Sequence, residues 1–121
     1  MVVVDSLGWI EFLTDGPKAE AYGRYLKNPE NLLTPSVVVH EVYKKIKRER
    51  GEDTGKLCLA QIERTHVALL DQASALRAAD LSLEFCLPMA DAIVLATARS
   101  RGLELITSDS DFRGIPGATV L

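Results

Sequence analysis

Cysteine is scarce. Cys58 and Cys86 are the only two thiols in 121 residues. Two thiols this far apart build neither a disulfide framework nor a zinc knuckle, and their apolar surroundings predict that both are buried and reduced. A basic excess is also missing: 14 Lys and Arg against 17 Asp and Glu leave a formal charge of −3. Coating of nucleic acid by bulk positive charge is thereby disfavoured, whereas an acidic site filled by metal cations remains open. No apolar run approaches the roughly 20 residues of a membrane span. The first residues lack the basic and long apolar regions of a secretory signal. The expectation is a soluble protein of the cytoplasm with no membrane partner. A G-x-S-x-G elbow is absent, and His40 and His66 are too distant for a helical metal pair. Gly51-Glu52-Asp53-Thr54-Gly55-Lys56-Leu57 is one residue too short between its glycines for a phosphate loop, and it ends in Leu instead of Ser or Thr. With 47% apolar and 26% charged residues, and no repeat, linker or low-complexity stretch, residues 1–121 read as one compact domain.

Within that domain, short apolar runs alternate with helical periodicities. Val2-Val3-Val4 is β-branched and reads as a strand buried on both faces. Leu7, Ile10 and Leu13 then recur at helical spacing behind Asp5 or Ser6 as N-cap. Asp15-Gly16-Pro17 breaks that helix and a second runs to about Lys27. Leu32–Thr34 predicts another strand. Val38, Val42 and Ile46 share one stripe of a helix from Ser36 to Arg50, closed by Gly51. A helix over 54–64 and a strand over 67–70 follow. Residues 72–84 place Ala73, Leu76, Ala79 and Leu83 on one helical face, and Pro88 opens an almost wholly apolar helix to Arg101. Leu103–Thr107 is a fourth strand and Ala118–Leu121 a possible fifth. This order predicts an α/β fold: three layers, α/β/α, around a parallel sheet of four to five strands. Ligands of such sheets bind beyond the carboxyl ends of the strands.

Acids stand at those ends. Asp5 follows the first strand, and Asp109 and Asp111 follow the fourth. Asp91 lies in Met89-Ala90-Asp91-Ala92-Ile93, and Glu41 lies within Val37-Val38-Val39-His40-Glu41-Val42. Each alone has an ordinary role, as a helix cap, a turn former or a wet helix edge. Together they repel: two unit charges about 5 Å apart cost roughly 3 kcal/mol at an effective dielectric of 20. A site of oxygen ligands without His or Cys suits Mg²⁺ or Mn²⁺, which can activate water and stabilise the leaving oxygen in phosphodiester hydrolysis.

Three ordered blocks carry a resemblance: Val2-Val3-Val4-Asp5-Ser6 with Trp9-Ile10-Glu11-Phe12-Leu13; Leu87-Pro88-Met89-Ala90-Asp91-Ala92-Ile93-Val94-Leu95-Ala96-Thr97-Ala98; and Leu105-Ile106-Thr107-Ser108-Asp109-Ser110-Asp111-Phe112. With Glu41 as a weaker fourth match, the whole chain resembles the PIN-domain ribonucleases, in particular the VapC-type toxins of toxin–antitoxin pairs. The resemblance implies a metal-dependent endoribonuclease. It makes Asp5, Glu41, Asp91 and Asp109 the catalytic, metal-binding quartet, with Asp111, Ser6 and Thr107 as auxiliaries. It further implies an RNA substrate, a homodimer and a cognate VapB-type antitoxin.

Beside these acids, Lys44-Lys45-Ile46-Lys47-Arg48-Glu49-Arg50 concentrates positive charge at one helix end. Lys44, Lys45, Lys47 and Arg48 are expected to hold the RNA backbone without reading its sequence. His40 reads as an ordinary helix residue. Trp9, Phe12, Tyr22, Tyr25 and Phe85 are expected in core or dimer packing. A receiver-like signalling module fits less well: Asp5 has no acidic neighbour and no Lys occurs beyond Lys56. A catalytically idle binding module is the remaining alternative.

Overall fold

The structure, a computed structural model, describes all residues from Met1 to Leu121. Five strands alternate with helices. The order is β1 (Val2–Val4), α1 (Ser6–Leu13), α2 (Ala19–Leu26), β2 (Leu32–Pro35), α3 (Ser36–Arg50), α4 (Glu52–Ile62), β3 (His66–Ala68), α5 (Gln72–Phe85), α6 (Met89–Ser100), β4 (Glu104–Thr107) and β5 (Ala118–Val120). Two 3-10 turns lie at Pro29–Asn31 and Ser110–Phe112. All four strand pairings are parallel, in the spatial order β3-β2-β1-β4-β5. Helices cover both faces, giving the expected three layers.

This strand order fixes where a ligand can sit. From the central β1 the chain moves outward to β2 and β3; α5 and α6 then carry it back to β4 on the other side of β1. Such a reversal leaves a crevice at the carboxyl ends of the two strands that flank it. Val4 pairs with Ile106, so Asp5 and Thr107 emerge side by side. The β-branched Val3 and Val4 are buried, as a strand covered on both faces requires. Beneath the crevice runs α6, whose residues Ala92 to Ala98 are all buried. Gly51 has φ +90°, a backbone that side chains rarely adopt, and it both ends α3 and begins α4. That shared residue explains why α4 starts at Glu52, two residues before the predicted 54. No single helix is long and apolar enough to cross a membrane.

Two expectations are corrected, and one helical face gains a direction. The predicted strand 67–70 stops at Ala68, whose partner is Pro35; Pro35 carries no N–H and hands the chain to α3, so Leu69 and Leu70 find no ladder. Cys58 is buried, but Cys86 is exposed, because it ends α5 in a left-handed conformation at φ +56°. The stripe Ala73, Leu76, Ala79 and Leu83 faces outward: α5 buries Ala78 and Leu81 instead. The aromatic residues behave as expected. Trp9 and Tyr22 are buried, and Phe12, Tyr25 and Phe85 pack against the core.

Candidate metal centre

Asp5 is held from two directions. As N-cap of α1, its Oδ1 accepts a hydrogen bond from the Gly8 N–H at 2.9 Å. Across the β1–β4 boundary its Oδ2 accepts from the Thr107 hydroxyl at 2.5 Å. The Thr107 Oγ1 in turn accepts from the Asp109 N–H at 3.0 Å, so the hydroxyl proton is committed to Asp5. A chain of hydrogen bonds thus runs from the end of β1 to the turn after β4. Asp109 continues it, its Oδ1 accepting from the Asp111 N–H at 2.9 Å as the cap of the 3-10 turn. Of the two expected hydroxyl auxiliaries, Thr107 is bonded to Asp5; Ser6 is not among its donors.

Behind Asp5, α1 and the crevice are kept in register by close packing. A Cβ at Gly8 would stand 2.3 Å from the Tyr22 ring, so only glycine fits. The buried Tyr22 hydroxyl donates to Ser108 Oγ at 2.8 Å. Burial, more than any other cause, pushes that phenol up to about 12. The contact of Tyr22 with Ser108, next to the acidic turn, is not visible in the sequence, because the two residues lie 86 positions apart.

The carboxylates of Asp91, Asp109 and Asp111 converge so that one oxygen from each lies within 4.8 Å of the others. Asp91 comes from the first turn of α6, behind Pro88. Burial raises its pKa to about 6, with further contributions from Asp109, Glu41, Asp5 and Asp111. Asp5 is also raised, chiefly by burial; the bonds from Thr107 and Gly8 oppose this, while Asp109 and Glu41 add to it. Asp109 and Glu41 thus act on both Asp5 and Asp91. The tight cluster contains Asp111, read as an auxiliary, whereas Asp5 and Glu41 stand outside it. The chain's ion pairs are Lys45–Glu49 at 3.1 Å, Lys47–Glu52 at 3.9 Å and Lys56–Glu52 at 3.8 Å. None of the five acids has a cationic partner. Crowded carboxylate oxygens without a lysine or arginine suit a hard divalent cation, which would relieve the repulsion.

Two concavities lie along α3, and the inner one takes in Glu41. Val37, His40, Glu41, Lys44, Lys45 and Arg48 line the inner one, with Met89 and Ala90 of α6. The outer one is lined by His40, Tyr43, Lys44, Lys47 and Arg48. Lys44, Lys45 and Arg48 thus come together beside Glu41, while Lys47 faces only the outer hollow. His40 belongs to both, and Tyr43 had gone unnoticed. The four-residue spacing from His40 through Lys44 to Arg48, and from Tyr43 to Lys47, is the signal that could have found them.

A model of the PIN domain matches residues 2–118. No curated protein matches the sequence. Among solved structures, the chain is similar to a protein in a toxin–antitoxin complex from Klebsiella pneumoniae: 26% identity and a TM-score of 0.83, covering 99% of this chain and 97% of that one. It also resembles the Sarcin-Ricin loop cleaving toxin VapC20 of Mycobacterium tuberculosis, with 16% identity, a TM-score of 0.80 and coverage of 97% and 96%. DNA-bound VapBC from Salmonella typhimurium gives 19%, 0.80, 100% and 98%. At these identities the last two share the fold. With the match spanning nearly its whole length, the chain belongs to the PIN-domain family, and its acids, clustered where the sheet reverses, are consistent with a metal-dependent nuclease.

Proposed function

We propose that this chain is the toxin of a toxin–antitoxin pair and hydrolyses RNA phosphodiester bonds with Mg²⁺ or Mn²⁺. The observation that carries the reading is the convergence of Asp91, Asp109 and Asp111 within 4.8 Å with no cation of the chain among them. Asp91, Asp109 and Asp111 would hold the metal, with Asp5 and Glu41 as the neighbouring oxygen donors. When bound, the metal supplies Lewis acidity toward phosphate oxygens and lowers the pKa of water. Thr107 keeps Asp5 and the Asp109 backbone in place. Glu41, half-buried and in the wall of the basic groove, would orient the attacking water. Lys44, Lys45 and Arg48 bind the phosphates that flank the cut, and Lys47 is assigned to the strand farther out.

Two partners fit this reading. The outward stripe of α5, with Leu76 62% and Leu83 83% exposed, supports a homodimer that covers it. The acidic crevice, lacking a cation of its own, suits an Arg of a VapB-type antitoxin, whose planar fork engages carboxylates bidentately. The test incubates the purified chain with RNA and Mg²⁺ or Mn²⁺. Cleavage that stops with EDTA and in Asp91→Asn is expected. RNA left intact under every metal condition, or cut equally by Asp91→Asn, would overturn the assignment.

A further inference from the structure

The outer hollow on α3 has a composition that phosphate binding alone does not explain. Its wall is mostly carbon although its lining residues are Tyr43, His40, Lys44, Lys47 and Arg48. Tyr43 is half-buried and its edge rests on α4 at Gly55, where a Cβ would stand 3.2 Å from the ring. The Lys47 ammonium sits 5.6 Å from the ring centroid, which favours an electron-rich face. Lys47 is only loosely tied, by the exposed 3.9 Å pair with Glu52, so a flat ligand can displace it. Lys44 and Arg48 have no carboxylate partner in the chain.

This hollow is continuous with the inner groove, since His40, Lys44 and Arg48 line both. The inner groove is lined by Glu41 and by Ala90, the residue before Asp91. A polynucleotide whose phosphate lies at the acids therefore has one basic path along α3, and that path leads past Tyr43. A tyrosine ring flanked by free cations is the arrangement that stacks an unpaired base and holds its phosphates.

The geometry points to a nucleotide subsite in this outer hollow: an unpaired RNA base stacks on Tyr43 beside His40, while Lys44 and Arg48 hold the phosphates that connect it to the cleavage site. The inference rests on the RNA-cleaving reading and adds a requirement to it. The substrate must present a single-stranded nucleotide to one side of the scissile bond. A duplex cannot satisfy the subsite, because its bases are already stacked.

The test is an abasic scan. Fluorescent single-stranded RNA octamers, each lacking one base in turn, are titrated by anisotropy into Asp91→Asn protein with Mg²⁺, with and without Tyr43→Leu. At one position, loss of the base is expected to weaken binding about tenfold when Tyr43 is present and less than twofold in Tyr43→Leu, with Tyr43→Phe restoring the effect. Base removal that costs the same with and without Tyr43 at every position overturns the subsite. If wild type still cuts RNA in that case, the nuclease reading stands without it; RNA neither cut nor bound overturns both. Should Tyr43→Leu not fold, Lys44→Gln with Arg48→Gln at exposed positions serves instead. The double variant is expected to reduce the slope of log affinity against log salt by about 1.4, from two lost single-strand phosphate contacts. An unchanged slope excludes the path along α3.

Discussion

The acidic crevice and the outer face of α5 are both regions where the isolated chain is at odds with water or with itself, but in opposite ways. In the crevice, five carboxylates gather with no cation, and the cost is repulsion. On α5, Leu76 and Leu83 stand in solvent, and the cost is uncovered apolar surface. Each region describes what it lacks. Charge crowded without partners calls for an ion of the opposite sign, and an apolar stripe opposite a helix's buried side calls for another apolar surface. The first defect is confined to a few oxygens and decides chemistry; the second extends along a helix and decides assembly.

Removing the charge in the crevice should have the largest effect. Asp91→Asn and Asp109→Asn are expected to lower RNA cleavage at least about a hundredfold, since even indirect supports of metal ligands cost 10–100-fold. Circular dichroism should show the fold retained, and cleavage within tenfold of wild type would break the comparison.

On the other side, Leu76→Glu with Leu83→Glu removes the apolar defect. Neither side chain packs in the core, so each change should alter monomer stability by no more than about 0.5 kcal/mol. Light scattering should report a dimer for wild type and a monomer for the double variant. A variant that stays dimeric would move the interface away from α5.

Filling the crevice comes next in size. A divalent ion at a hundredfold excess over its Kd should stabilise the folded chain by about 2.7 kcal/mol, on the order of 10 °C in Tm for a domain of this size. Asp109→Asn should respond much less, and an equal rise in both would show that the ion binds elsewhere.

The smallest effect concerns protons. Asp91 is raised to about 6 in the folded chain from an ordinary 3.8. Its raised pKa therefore favours folding below about pH 4, and that contribution is lost as pH climbs through about 6. In chelator-treated protein, Asp91→Asn should raise Tm at pH 7 by a few degrees and leave it nearly unchanged at pH 4. A destabilised variant at pH 7 would mean that Asp91 is not repelled as described.

These two regions differ just as much in how far the sequence discloses them. Asp5, Asp91 and Asp109 could be located because each interrupts or ends an apolar run that allows only one secondary structure. Parallel order then carries the ends of β1 and β4 to the same place. Asp111's membership of the tight cluster was not legible, since it depends on a 3-10 turn and on the Asp109 cap that aims it. The outward stripe of α5 defeats periodicity for another reason. That helix is apolar around most of its girth, with Ala78 and Leu81 inside and Ala73, Leu76, Ala79 and Leu83 outside. A period marks a face without saying which way it points. Tyr43 was missed because its importance lies in which hollow it lines, and spacing along α3 does not reveal a hollow.

Asp5 differs from the other acids in one respect that bears on how the protein would evolve under selection. Both of its oxygens are already engaged, by Gly8 and Thr107. An amide in its place would have to turn its NH2 toward one of two donors, and the Thr107 proton would lose its acceptor. Such a loss typically costs about 1–3 kcal/mol. In cells relieved of antitoxin, survivors carrying changes at Asp91 or Asp109 should therefore accumulate as full-length, folded protein. Survivors altered at Asp5 should be recovered at lower abundance, having lost part of the molecule along with its chemistry.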